Sequence, residues 1–251
     1  MKRLALLALL STGALAVQAP TPVSAQRLLS AYPQFLKGLD QGALIWKDGT
    51  RTPLSGGRTF ASLSDRLDHP DLNELLRQPY PGCTPLHTPA YAEDPGRARP
   101  AAFFGRMYGN SPAAVRVNLV SVNWFGQRVM FSRANGANLA LEAVARDLAA
   151  QPALKRYLTP SAGTYLWRMV AGSGRQSAHS WGIAIDLNVR YSDYWQWEGH
   201  REFARGIGYN NRMPQAMVWA FERHGFVWGG RWYHHDTMHF EFRPELSYGS
   251  C

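Results

Sequence analysis

Two short stretches carry most of the side chains able to do chemistry. The first, Ser177–Asn188 (SAHSWGIAIDLN), holds His179 and, seven positions on, Asp186. The second, His234–Glu241 (HHDTMHFE), holds His239, with Asp236 three residues before it and Glu241 two residues after it. Two neutral imidazoles and one ionised carboxylate make a three-ligand catalytic zinc set with a fourth position left for water. Asp236 could take that water's proton, and Glu241 could orient a ligand from behind. A Lewis acid, a water of lowered pKa and an adjacent base are what metal-assisted hydrolysis requires. No H-E-x-x-H helix motif occurs, which excludes the common zinc protease site built on it. A plainer reading stays open at this point, because a His or Asp in an apolar strand is often a satisfied structural residue. The other histidines, His69, His87, His200, His224, His234 and His235, read as structural or surface groups.

Strands must position these residues. In Ile183–Asn188 the period is two: Ile183, Ile185 and Leu187 face one way, and Ala184, Asp186 and Asn188 the other. Phe240 and Phe242 alternate in the same manner with His239 and Glu241. A carboxylate on an otherwise apolar strand is costly unless it is paired or holds a metal. Gly182 permits a close approach just before the strand, and His179 on the entering loop can fold back towards Asp186. Tyr165–Val170, Val227-Trp228 and Trp232-Tyr233 are expected as further short strands, and Val120–Trp124 as a partner of Val129–Phe131. Helices are expected around Phe103–Met107, over Leu141–Leu148 ending before Pro152, and over Pro214–His224. The last has Pro in its first turn and Gly225 after it, with Met217, Ala220, Phe221 and His224 inward. Upstream, Ala43–Trp46 precedes an Asp48-Gly49 turn and reads as a hairpin. Pro79, Pro81, Pro85, Pro89, Pro95 and Pro100 then punctuate a long connection. Strands and helices mix without regular alternation, so the fold class is α+β rather than a doubly wound sheet.

Ser177-Ala178-His179-Ser180-Trp181-Gly182-Ile183-Ala184-Ile185-Asp186 resembles the S-x-H-x-x-G-x-A-x-D signature of the VanY-type D-alanyl-D-alanine carboxypeptidase family of zinc metallopeptidases. Asp236-Thr237-Met238-His239-Phe240-Glu241 resembles its second signature, an acidic residue three before a ligand His. The likeness extends over about residues 101–246, taking in Gly163–Arg168 and Trp228–Trp232. It implies one zinc per chain on His179, Asp186 and His239, with Asp236 as base to water and then proton donor to the leaving amine. Arg175, in Gly174-Arg175-Gln176-Ser177, matches the family's upstream arginine and would steady the developing oxyanion or grip a substrate carboxylate. Gly stands where that turn usually has Tyr, and Arg168 is the rival. Ser177, Glu241 and Trp181 are further candidates for supporting a ligand or touching substrate.

The fold so implied is of the D,D-peptidase/hedgehog-like kind. A single catalytic domain, residues 101–251, would hold a small, mostly antiparallel sheet flanked by helices. A loop-rich wrapping segment, residues 26–100, would precede it. The implied substrate is a peptidoglycan stem peptide, with D-alanyl-D-alanine carboxypeptidase as first reading. An L-Ala-D-Glu or cross-link endopeptidase and a catalytically silent wall-binding module of the same fold are the alternatives. Some dipeptidase relatives have Glu where this chain has Asp236, which leaves the cleaved bond open. The aromatic run Tyr194-Trp195-Gln196-Trp197 either walls the groove or packs inside.

The 251 residues suit one large domain or two small ones. Lys2-Arg3, the apolar run Leu4–Ala16 and Val23-Ser24-Ala25 form an expected export signal over residues 1–25. That places the protein in the periplasm or outside the cell, with no transmembrane span once the signal is removed. The net charge of +9 would suit anionic wall polymers, lipid head groups or nucleic acid, or simply solubility. With no metal-finger or phosphate-binding signature, an exported nuclease or other nucleic-acid partner is not expected, and the chain is expected to be a monomer. Cys83 and Cys251 are the two cysteines, and a disulfide between them stays open.

Overall fold

A computed structural model describes residues 24–247. The expected export signal falls almost wholly outside the described residues, as does Cys251. Cys83 is disulfide-bonded. No helix among the described residues is long and apolar enough to cross a membrane.

Helix α1 (Gln26–Ala31) leads into an antiparallel sheet of β1 (Leu36–Asp40), β2 (Ala43–Trp46) and β3 (Arg51–Pro53), in that order. The turn between β2 and β3 is tied by Asp48, whose Oδ1 accepts from Thr50 N–H at 3.0 Å and Thr50 Oγ1 at 2.7 Å. Two short helices follow, α2 (Leu63–Asp68) and α3 (Leu72–Leu76), capped by Ser62 and Asp71 side chains that accept N–H groups of the first turn. The stretch expected to be loop-rich therefore holds three strands and three short helices. Its Leu28, Tyr32, Leu44, Trp46, Leu75 and Tyr80 share one buried core with the rest of the chain.

Next come α4 (Ala101–Tyr108) and α5 (Pro112–Arg116), then a hairpin of β4 (Leu119–Trp124) and β5 (Gln127–Ser132). Helices α6 (Ala137–Ala149) and α7 (Lys155–Leu158) follow. The last sheet consists of β6 (Ala184–Asp186), β7 (Phe226–Trp228) and β8 (His239–Phe242), with α8 (Gln215–Glu222) between β6 and β7. Its order is β6-β8-β7 and both pairings are antiparallel. The α+β class and the small antiparallel sheets are as the sequence suggested. Phe240 on β8 stacks at 3.9 Å on Phe221 of α8, so the apolar face of β8 is sealed by that helix and the polar face is left for chemistry.

Three expectations are corrected. Tyr165–Val170 is not a strand; Met169 alone of these residues makes an isolated bridge, to Gln176. Its N–H groups go elsewhere: Leu166 to the His179 carbonyl at 3.3 Å and Arg168 to Ser180 Oγ at 2.9 Å. Trp232-Tyr233 is not a strand either, because Gly229–Arg231 forms a 3-10 turn closed by Trp232 N–H on the Gly229 carbonyl. Pro214 caps α8 from outside rather than filling its first turn, and His224 lies half-buried beyond the helix, its ring bonded to Asp147 at 2.9 Å.

Candidate metal centre

The β6–β8 register sets Asp186 directly opposite His239 and Ala184 opposite Glu241. Alternation then brings Asp186, His239 and Glu241 to one face, with Ile185 and Phe240 on the other. His179 arrives on a 3-10 turn, Ala178–Trp181, capped by Ser177 Oγ, which accepts from His179 N–H at 3.3 Å. The turn closes at Gly182, with φ +65°, where a Cβ would meet Leu119 Cδ2 at 2.5 Å. The left-handed backbone favours glycine, any Cβ there would push the end of the Leu119 side chain aside, and the carbonyl of Gly182 accepts from Ser132 N–H at 2.8 Å. The turn bearing His179 is thereby fastened to β5.

His239 Nδ1 lies 3.0 Å from Asp186 Oδ1, His179 Nε2 lies 3.1 Å from Asp186 Oδ2, and the two ring nitrogens are 3.2 Å apart. Among the described residues, these three side chains form the group able to hold a metal ion, with ligand atoms within 4.8 Å of one another. The far nitrogen of each ring is occupied. His179 Nδ1–H donates to the Thr164 carbonyl at 2.5 Å, and a carbonyl can only accept, so Nε2 is the nitrogen turned to the site. His239 Nε2–H donates to Glu241 Oε2 at 3.2 Å, which turns Nδ1 to the site. Burial pulls the His239 imidazole down, but its hydrogen bonds to Asp186 and Glu241 outweigh this and push it up to about 10. Burial pushes the Asp186 carboxyl up, and the His179 charge, with hydrogen bonds from both rings, holds it well below the usual range. The spot among the three side chains thus favours positive charge, and its donor set of two imidazole nitrogens and a carboxylate fits a divalent cation.

Asp236 lies on the turn before β8. Its N–H donates to the Gly229 carbonyl at 3.0 Å and its own carbonyl accepts from His239 N–H at 3.2 Å. A Cβ on Gly229 would meet the Asp236 carbonyl oxygen at 2.5 Å, so the close approach requires glycine. Asp236 Oδ1 is enclosed without a hydrogen-bond partner. Burial, then the nearby Asp186 charge, pushes its carboxyl up to about 6, close to the working range of a general base.

The three ligand candidates and Asp236 line one open cleft of about 280 Å³, together with Ser177 and Arg175. Arg175 is buried, with Nη2 on Glu202 Oε1 at 2.6 Å and Nη1 3.5 Å from Asp68 Oδ1. Arg168, the rival, lines the cleft too. Glu241 is fully buried behind His239, away from any substrate. Burial pushes its carboxyl up, but Arg99 and the His239 hydrogen bond hold it well below the usual range. Trp181 does not join the site: it is buried in the core against Phe104, ring centres 5.1 Å apart. Tyr194, Trp195 and Trp197 divide the two roles considered for their run, since all three line the cleft while Trp195 is also buried. Sequence reasoning missed Thr164, Glu202, Arg97 and Arg99. The last two left a signal, alternating about Ala98 in a stretch bracketed by Pro95 and Pro100.

Residues 171–242 match a family model described as D-alanyl-D-alanine carboxypeptidase. The likeness to the VanY-type family read from the two motifs is borne out over these residues. The match spans His179, Asp186, Asp236 and His239, whereas Arg97, Arg99, Thr164 and Arg168 precede it. Comparison with curated proteins and with solved structures returns no match.

Proposed function

We propose that the protein is an exported zinc peptidase that hydrolyses peptidoglycan stem peptides, in the first instance as a D-alanyl-D-alanine carboxypeptidase. The observation that carries this is the convergence of His179 Nε2, His239 Nδ1 and the Asp186 carboxylate in the cleft that Asp236 also lines, with each imidazole's far nitrogen fixed by an acceptor. Zinc, when bound there, supplies a Lewis acid and lowers the pKa of water. The chain's own residues supply the rest. Asp236 takes the proton of the attacking water as its oxygen bonds to the scissile carbonyl carbon. It then returns that proton to the leaving amine nitrogen as the C–N bond breaks. Arg175, held on two sides by Glu202 and Asp68, presents a fixed cation to a developing oxyanion or a substrate carboxylate.

A second reading, an endopeptidase acting inside the stem or cross-link, is favoured by a second cavity beside the cleft. This cavity, lined by Gly172, Gly199 and His200, shares Arg175, Tyr194 and Trp195 with the cleft and could take substrate beyond a terminal dipeptide. Mass spectrometry of muropeptides digested by the purified protein separates the two. Loss of one terminal D-Ala supports the carboxypeptidase, and cleavage within the stem or cross-link supports the endopeptidase. Metal analysis should return about one zinc per chain. A zinc-loaded protein that cleaves no muropeptide would turn the assignment towards a wall-binding module.

A further inference from the structure

His239 meets Asp186 through Nδ1 and Glu241 through Nε2. What holds Glu241 comes largely from the far end of the chain. Arg99 Nη1 lies 3.2 Å from Oε1 and 3.1 Å from Oε2, and Arg243 Nη1 lies 2.7 Å from Oε1. Oε1 therefore accepts from two guanidiniums, and Oε2 is turned to His239 Nε2. Arg243 is itself held by an early residue, its Nη1 donating to the Gly96 carbonyl at 2.6 Å, and by its neighbour Glu245, to which its Nε donates at 2.5 Å. Glu245 accepts from Tyr32 OH at 2.6 Å, and Arg27 Nε donates to its carbonyl at 3.0 Å. Arg27, Tyr32, Gly96 and Arg99 thus close around the end of β8, all from sequence that precedes the family match.

We propose that Arg99 is a positioning residue for the metal centre: with Arg243 it fixes the Glu241 carboxylate so that His239 presents Nδ1 towards His179 and Asp186. This rests on the metal reading of the site. A carboxylate held by Arg243 at one oxygen can still turn about its Cγ–Cδ bond. Arg99, bridging both oxygens, removes that freedom, and the orientation of the His239 ring follows from it. The side chain of Arg99 is 8% exposed, so its ion pair with the wholly buried Glu241 is little screened by solvent. The segment before residue 100 therefore completes the metal site from behind instead of only covering it.

The test uses the full chain as wild type, Arg99→Gln, Arg99→Lys and Glu241→Gln. Zinc affinity is measured by competition with a chromophoric chelator, the Co²⁺-loaded protein by its visible absorption, and the metal-free fold by its melting temperature. Arg99→Gln is expected to weaken zinc binding by about 10–100-fold and to shift the Co²⁺ bands. Arg99→Lys, which restores the charge and one donor, should recover most of the affinity. A purely structural Arg99 would lower the melting temperature and leave affinity and spectrum as in wild type, and that result overturns the proposal. Should Arg99→Gln not fold, Glu241→Gln reads the same contact: similar weakening supports the proposal, and wild-type affinity overturns it. Wild type that binds neither zinc nor Co²⁺ would instead overturn the metal reading itself.

Discussion

Asp236 combines an enclosed oxygen with a neighbouring negative charge, and both push its carboxyl up to about 6. A cation among His179, Asp186 and His239 acts in the opposite sense, because it stabilises the ionised form. If Asp236 is the base and the site holds a metal, as proposed, it should ionise between the ordinary carboxylate value, about 4, and about 6. Activity requires the ionised form, so kcat/KM should rise with pH through that interval and then level off. Asp236→Asn should keep its zinc and lose at least about 100-fold in kcat. Metal analysis beside steady-state kinetics checks both statements. Near-normal turnover in that variant, or an unchanged acid limb in its residual activity, would assign the base elsewhere.

At the scale of elements, alternation made one thing legible: Asp186, His239 and Glu241 leave their strands on the polar face. The register that sets Asp186 against His239 was not legible, because period-two patterns fix a face and not a partner. The same limit explains Tyr165–Val170, where a strand-like pattern has its N–H groups taken by the His179 carbonyl and Ser180 Oγ. Arg99 escaped as a site residue because 142 positions separate it from Glu241. Gly182 was legible as a close approach, and its geometry gives a prediction. Gly182→Ala places a Cβ 2.5 Å from Leu119 Cδ2 on a backbone of φ +65°. Left-handed strain, with the end of the Leu119 side chain pushed aside, should cost about 1–3 kcal/mol. Relief of the backbone strain should shift the turn carrying His179, so zinc affinity should fall along with the melting temperature. Calorimetry and zinc titration on the one variant test whether the two losses occur together.

At the scale of the whole molecule, residues 26–100 are tied to the rest by buried polar groups as well as by the core. Asp94 is one such tie, with Oδ2 2.7 Å from His234 Nδ1 and 3.3 Å from Arg97 Nη1. Burial pushes its carboxyl up, but the Arg97 charge and the His234 hydrogen bond hold it below the usual range. A carboxyl depressed in the folded state stabilises fully above its unfolded value, about 3.9, and loses that contribution as pH falls through the lower folded value. The gap in urea midpoint between wild type and Asp94→Asn should therefore be widest near neutrality and shrink in acid. A chain shortened to residues 101–251 makes the larger test. It would lose Leu28, Tyr32, Leu44, Trp46, Leu75 and Tyr80 from the shared core, where a large apolar side chain contributes about 1.5–3 kcal/mol. That sum is comparable to the roughly 5–15 kcal/mol by which domains are stable. It would also strip Glu241 of Arg99, Glu245 of Tyr32 and Glu222 of Tyr80, leaving buried charges short of partners. The shortened chain should therefore show no cooperative melting transition and no tight zinc binding. A cooperative melt with wild-type zinc affinity would make the catalytic part self-sufficient and reduce residues 26–100 to a cover.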